Sequence, residues 1–380
     1  MIKEASLFET KIFRKIEEIP FEQWDSIFPK ALENYYFFKT LDESKLERFT
    51  LYYIAVFRGD RVVGVTSCFA MDYPMDLAAQ GGSKRFFDLI RKILPKALDA
   101  RSVICGIPMG QGRIGIAKDV DRDKVMKEIC LAMEKIAKTE KAWIIAFKDF
   151  IGTYDGLFAN LMKDGFSQME TLPSTDMNVN FANFDDYLKS LSSVSRSGLK
   201  RKFKEIDGKV KIDLEVLDKL DAKALDEAYG LYLQTYHKQE MGFEKLTPDF
   251  FERIAENMPK ESKFFLWRID GKLVAFAFCL AKDDYMIDYY LGFDYEVAFK
   301  YHLYFVRFRD IMEWCIKNNI RKYEMGVTAY EAKRRMGFEY IPMYIYARSP
   351  SKVLNPALKL LCRIFKPDNY HSVFDDMKKD

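Results

Sequence analysis

Near its C-terminal end the chain reads YEMGVTAYEAKRRMGFEY, from Tyr323 to Tyr340. This stretch places a carboxylate at Glu324, a glycine at Gly326, a phenol at Tyr330 and an ammonium at Lys333, and closes on Gly337-Phe338. A second carboxylate, Asp288, alternates with Ile287 and Tyr289 on the strand-like run DYMIDYYLGF. In apolar surroundings a carboxyl pKa rises toward that of a general base. Tyr330 and Lys333 lie nearly one helical turn apart. The plainer reading is a strand Asp that faces water and, at Arg334 and Arg335, a solvated helix face.

Two further stretches could hold an anion. SLSSVSRSGLKRKFKEI, from Ser190, predicts a helix with Leu199, Phe203 and Ile206 on one face. Arg196, Lys200 and Arg201 lie on its other faces, as a phosphate clamp or simply as a charged surface. After the strand ending at Gly292, a helix is expected to begin near Ala298, so that Ala298, Phe299, Lys300 and Tyr301 surround a strand-to-helix junction with unpaired N–H donors. Tyr285, Tyr289, Tyr290, Tyr301 and Tyr304 could line an acyl tunnel, although strand aromatics usually pack a core.

Composition removes other chemistries. The 380 residues are 49% hydrophobic and 15% aromatic, enough for the cores of two domains. Sixty Lys and Arg against fifty-seven Asp and Glu leave a net charge of +3, too balanced for wholesale binding of DNA or tRNA. The six cysteines are scattered singly and the three histidines lie far apart, so neither a metal site, a disulfide framework nor a Ser/His/Asp or Cys/His nucleophile is expected. No G-x-x-x-x-G-K-[ST] loop occurs. The glycines of GQGRIGIA, from Gly110, read as turn chemistry before they read as a phosphate loop. The N-terminal MIKEASLFETKIFRKIEE has no long apolar core, which points to a cytoplasmic protein.

The elements that must position these groups occur twice. LYYIAVFRGDRVVGVTSCFAMD and KFFLWRIDGKLVAFAFCLAKDDYMIDYYLGF are each two strand-like runs around an Asp/Gly turn, in a register that aligns Cys68 with Cys279. Each is followed by a helix and a strand. In the first half, Asp121 caps a helix bearing Val125, Ile129, Ala132, Met133 and Ile136, and AWIIAF follows. In the second, Phe305, Phe308, Ile311, Met312 and Cys315 form one stripe before Tyr323 to Gly326. The expected fold is α+β: tandem duplicated domains, each a mixed, mostly antiparallel sheet flanked by helices, over residues 1–175 and 176–348. Residues 349–380 form a tail with an amphipathic basic helix, in which Val353, Leu354, Leu358, Leu361 and Phe365 accompany Lys352, Lys359, Arg363 and Lys366.

The second half resembles the GNAT superfamily of acyl-CoA N-acyltransferases, and more closely the double-domain group related to the Fem peptidoglycan aminoacyltransferases. The resemblance covers Asp185 to Ala347 and rests on an ordered set: YLKSLSSVSRSGLKRKFKEI, FFLWRIDGKLVAFAF, YYLGFDYEVAF and KYEMGVTAYEAKRRMGFEYIP. The first half is similar to the group's N-terminal domain in outline. The resemblance implies a double GNAT-like fold in which a donor thioester lies in the splay between the two late strands. Backbone N–H groups there polarise the acyl carbonyl while Asp288, Glu324, Tyr330 and Lys333 supply the proton chemistry. Lys333 stands where single-domain relatives often carry a tyrosine acid. The implied co-substrate is acyl-CoA, CoA being its product, or an acyl carrier protein, with an amine as acceptor and no permanently bound cofactor. Two other readings stand beside it: tRNA-dependent aminoacyl transfer to a peptidoglycan precursor, and a non-catalytic binding module. One active and one scaffolding half are expected, since AWIIAFKDF lacks a Glu-Gly pair. The tail helix adds peripheral contact with an anionic membrane face as a partner expectation.

Overall fold

The runs read as strands form them in the computed structural model, which describes residues 8–74, 89, 91–92, 98–238 and 243–364. In chain order they are β1 (Glu9–Phe13), β2 (Thr50–Arg58), β3 (Arg61–Pro74), β4 (Asp99–Cys105), β5 (Ile114–Ile116), β6 (Ile144–Ile151), β7 (Ser167–Asn178), β8 (Asp213–Leu217), β9 (Ser262–Ile269), β10 (Lys272–Lys282), β11 (Tyr285–Phe293), β12 (Lys322–Glu324) and β13 (Glu339–Arg348). Two compact units result, one holding the chain up to Asp42, from Leu46 to Leu172 and from Pro342 on, the other Glu43–Lys45 and Pro173–Ile341.

In the first unit the strand order is β1-β2-β3-β4-β6-β13, with β5 on β3. The β2–β3 hairpin closes through Gly59 at φ +61°, and β4 and β6 pair in parallel, Ser102↔Ile144 to Cys105↔Phe147. The helix Arg122–Glu140 makes the crossover. Asp121 caps it by accepting from the amides of Asp123 and Lys124, and Val125, Ile129, Ala132, Met133 and Ile136 are buried against the sheet.

The second unit repeats the plan in the order β7-β12-β11-β10-β9-β8. The β9–β10 hairpin turns through Asp270 at φ +49° and Gly271 at φ +79°, left-handed values that suit a tight turn between right-twisted strands. Strand β11 pairs in parallel with β12, Tyr285↔Lys322 to Ile287↔Glu324, and the helix Leu303–Lys317 is the crossover. Of its expected stripe Phe308, Ile311, Met312 and Cys315 are buried, whereas Phe305 is half-buried. The duplication holds to the residue: Cys68 pairs with Cys105 on β4, and its counterpart Cys279 pairs with Asp288 on β11.

The domain limits differ from the expected 1–175 and 176–348 at both last strands. After β6 comes β7, whose Asp176–Asn178 pair with β12 of the second unit. After β12 comes β13, whose Met343–Arg348 pair antiparallel with β6 of the first. Each unit thus takes its final strand from the other repeat. An alternating pattern states that a segment is a strand, not which edge it joins.

The tail's helix is Asn355–Ile364. Leu358 and Cys362 are buried, while Val353, Leu354, Leu360 and Leu361 are exposed. Asn355 ties it down, accepting from the Ser349 amide and donating to the Gly165 carbonyl. Phe365, Lys366 and His371 lie outside the described residues, as does the side chain of Arg363. Among the described residues no helix is long and apolar enough to cross a membrane.

Candidate functional site

The chemistry-bearing residues of the second unit gather where β12 stops. Strand β12 ends at Glu324, while β11 runs on to Phe293 with β10 on its other edge. Beyond Ile287 and Glu324 the two parallel strands no longer pair, leaving an open strand edge on β11 among the described residues. Gly292 is required there: a Cβ on it would lie 2.5 Å from Leu231 backbone and 2.6 Å from the Tyr232 nitrogen, in the helix Ala222–Lys238.

Adjacent residues of a strand face opposite sides of the sheet, so Tyr323 and Glu324 serve different surroundings. The Tyr323 hydroxyl donates to Asp288 Oδ2 at 2.8 Å. Glu324, 7% exposed, accepts from Ser174 Oγ at 2.7 Å and from the Tyr285 hydroxyl. Beside it Lys322 pairs with Asp176 at 2.6 Å.

Asp288 is not the isolated carboxyl expected from its neighbours in sequence. It is buried, and Arg307 of the helix Leu303–Lys317 donates to its Oδ2 from a side chain wholly shut off from solvent. Burial acts against the Arg307 charge, but Asp288 beside it holds the guanidinium firmly protonated. Its Oδ2 thus accepts from both Arg307 and Tyr323, which sets Asp288 in a buried ion pair. The signal for Arg307 lies in LYFVRFRDIMEWC, where an arginine falls on the apolar stripe at helical spacing from Leu303 and Ile311. Ser174 and Thr175 carried no such signal.

Lys333 and Tyr330 also differ from expectation. The helix Tyr330–Arg335 turns Lys333 inward: its side chain is 2% exposed, and Nζ donates to the carbonyls of Met325 at 2.7 Å and of Gly326 and Val327 at 3.0 Å. Burial pushes its pKa down to about 7, opposed by Asp288 and Glu324. The Tyr330 hydroxyl donates to the Pro173 carbonyl at 2.8 Å. Arg335 pairs with Glu331 on the exposed face. Gly337, at φ +82°, opens a small cleft lined by Met177, Phe181, Tyr187, Leu191 and Met336.

The anion-binding residues do not converge. The helix after β11 begins at Tyr295, capped by Asp294, rather than near Ala298, and it stops at Lys300. Phe299 is 72% exposed, Lys300 lies over the Tyr301 ring at 4.9 Å, and His302 takes a left-handed conformation before the next helix. In the helix Ser193–Ile206, Arg196 donates to the carbonyls of Lys189 and Leu191, which occupies it structurally. Lys200 is exposed, and Arg201 lies 3.8 Å from Glu205, which in turn meets His302 at 2.8 Å. Glu205 thus links Arg201 to His302, next to Tyr301.

Among the described residues the first unit has no carboxylate at the position equivalent to Glu324. Where Ile287 pairs with Glu324, its counterpart Ile104 pairs with Ala146. The loop after β4 instead folds across the strand ends: Gly112 donates to the Asp149 carbonyl, and a Cβ on Gly112 would lie 2.3 Å from the Lys148 carbonyl. Gly115 of GQGRIGIA is likewise close-packed, a Cβ on it lying 2.2 Å from the Ile27 side chain. Among the described residues no cluster of His, Cys, Asp and Glu could hold a metal, and all six cysteines are free.

A family profile described as FemAB-like, peptidoglycan biosynthesis/recognition, matches residues 95–366. FemX superposes with a TM-score of 0.54 at 14% identity over 88% of this chain and 96% of that one. A tandem GNAT protein from the clavulanic acid biosynthesis pathway does so at 0.54 and 9% identity, over 91% and 100%. The C-terminal domain of a putative lysylphosphatidylglycerol synthetase from Agrobacterium fabrum does so at 0.52 and 13% identity, over 90% and 95%. In sequence, a putative 8-amino-7-oxononanoate synthase 2 of Mycobacterium tuberculosis is 21% identical across 85% of this chain, which spans 43% of that relative's length. The solved structures establish a tandem GNAT-like fold.

Proposed function

Because the chain belongs to the FemAB-like family, we propose that it is an N-acyltransferase whose site is the strand splay of the second unit. The observation that carries this is the parting of β11 and β12 at Ile287 and Glu324, beside a carboxylate held by Ser174 and Tyr285. A thioester of CoA or of an acyl carrier protein would lie along the open edge of β11. Backbone N–H groups after β12 would polarise its carbonyl.

The amine nitrogen then forms the new C–N bond, the C–S bond breaks, and its electron pair leaves on sulfur. The amine's proton passes to Glu324. The thiolate needs no dedicated acid, since a thiol pKa near about 8.5 makes it a competent leaving group. That suits a site in which the Tyr330 hydroxyl and the Lys333 ammonium both serve backbone carbonyls. Family membership favours a second donor, an aminoacyl ester of tRNA with a peptidoglycan precursor as acceptor, and an envelope-linked amine in either case. The exposed Val353, Leu354, Leu360 and Leu361, with Lys352, would meet an anionic membrane face.

Thermal stabilisation by CoA, short and long acyl-CoAs and charged tRNA tests the reading, because a ligand bound only by the folded state raises its stability. A shift with acyl-CoA supports thioester transfer and a shift with charged tRNA alone supports the second donor. No shift with any of them would leave a binding module.

A further inference from the structure

Lys333 performs a task that a helix lysine rarely has. Its three ammonium protons meet three successive carbonyls, those of Met325, Gly326 and Val327, and an ammonium has three donors and no acceptor. Among the described residues there is no cis peptide bond, and in a trans peptide the N–H points opposite to the carbonyl it follows. The amides of Gly326, Val327 and Thr328 are therefore turned away from Lys333. Among the described residues none of the three donates to a protein acceptor.

The backbone is bent to achieve this. Gly326, Thr328 and Ala329 have φ of +58°, +70° and +50°, and for a β-branched Thr that region is strained. Such conformations persist only where the surroundings over-determine them. The surroundings here are Lys333 and Thr175, whose hydroxyl donates to the Gly326 carbonyl at 2.7 Å and whose carbonyl accepts from the Met325 amide at 2.9 Å.

We propose that Lys333 is a positioning residue that holds the Gly326 to Thr328 amides outward, ready for the acyl oxygen as charge builds on it. It touches neither the acyl group nor the leaving thiolate; it acts through the backbone. This inference rests on the acyl-transfer reading. Fixed donors of this kind are effective because they need no reorganisation during reaction, and losing one typically lowers kcat by about 100-fold or more.

The test combines spectra and kinetics on the full chain at pH 6, with the donor and amine that support turnover. In 15N-labelled protein a slowly exchanging ammonium signal should be present and should vanish in Lys333→Met. The amide resonances of Gly326, Val327 and Thr328 should move in the same variant. The kcat should fall about 100-fold with the donor KM unchanged. Lys333→Gln, which still offers two donors, should recover part of the loss and serves alone if the Met variant does not fold. Unmoved amide resonances, a kcat within about twofold of wild type, or a loss confined to KM would overturn the proposal, since a lost fixed donor lowers kcat far more than that. If the wild type transfers no acyl group from any donor, the functional reading fails, while the resonances still decide whether Lys333 holds the loop.

Discussion

The carboxylate of Asp288 and the guanidinium of Arg307 face each other with side chains 3% and 0% exposed. Strand β11 supplies one and the helix Leu303–Lys317 the other, and Tyr323 completes the set through its hydroxyl. Among the described residues Arg307 Nε and Nη2 have no hydrogen-bond partner, so Asp288 is the main compensation for burying its charge. Removing one member of such a pair strands the other. Arg307→Met should destabilise the protein by about 3–5 kcal/mol in urea unfolding. Adding Asp288→Asn should restore part of it, and equal stability of the single and double variants would show that the pair is not coupled.

Glu324 is predicted to be the base. Glu324→Gln keeps the shape and one oxygen able to accept from Ser174 or Tyr285, but cannot take the amine's proton. The kcat should drop by about 100-fold or more, with the melting temperature little changed. Full turnover in this variant would remove Glu324 from the mechanism.

In the first unit, Gly112 is a packing glycine. Gly112→Ala forces a methyl into the Phe150 ring at 2.3 Å and should cost about 1–3 kcal/mol of stability. The same variant should bind the acyl donor as the wild type does. A selective loss of donor binding would instead return that loop to the phosphate reading.

Asp42 sets a pH dependence. Burial pushes its carboxyl up to about 6, against the bonds it accepts from the Ile16 amide and the Tyr53 hydroxyl. The folded state therefore holds a proton that the unfolded chain, with a carboxyl near about 4, releases earlier. The resulting stabilisation is full below about pH 4 and is lost as pH rises through 6. Asp42→Asn should flatten the stability profile between these limits; an unchanged slope would assign it to other groups.

The outer face of the helix Asn355–Ile364 is predicted to be a docking face rather than core. Replacing Leu360 and Leu361, 59% and 40% exposed, with Ser should change stability by less than about 0.5 kcal/mol. Co-sedimentation with vesicles containing anionic lipid should fall in that variant. Wild-type protein that stays in the supernatant would end the membrane proposal.

Secondary structure and its duplication were legible in the sequence because they depend on near neighbours. Asp/Gly turns need left-handed backbone, Asp121 caps the next helix, and apolar residues at helical spacing mark the faces that pack. The ordered motifs around Tyr323 to Tyr340 pointed to the family for the same reason: their residues lie close together along the chain. What a side chain meets at long range was decided only by the tertiary structure. Asp288 finds Arg307, Glu324 finds Ser174 and Tyr285, and Lys333 turns away from solvent to three carbonyls of its own loop. The exchange of β7 and β13 between repeats belongs with these. Periodicity states which face of an element is buried, whereas charge pairing and strand partnership follow from what the folded chain brings against that face.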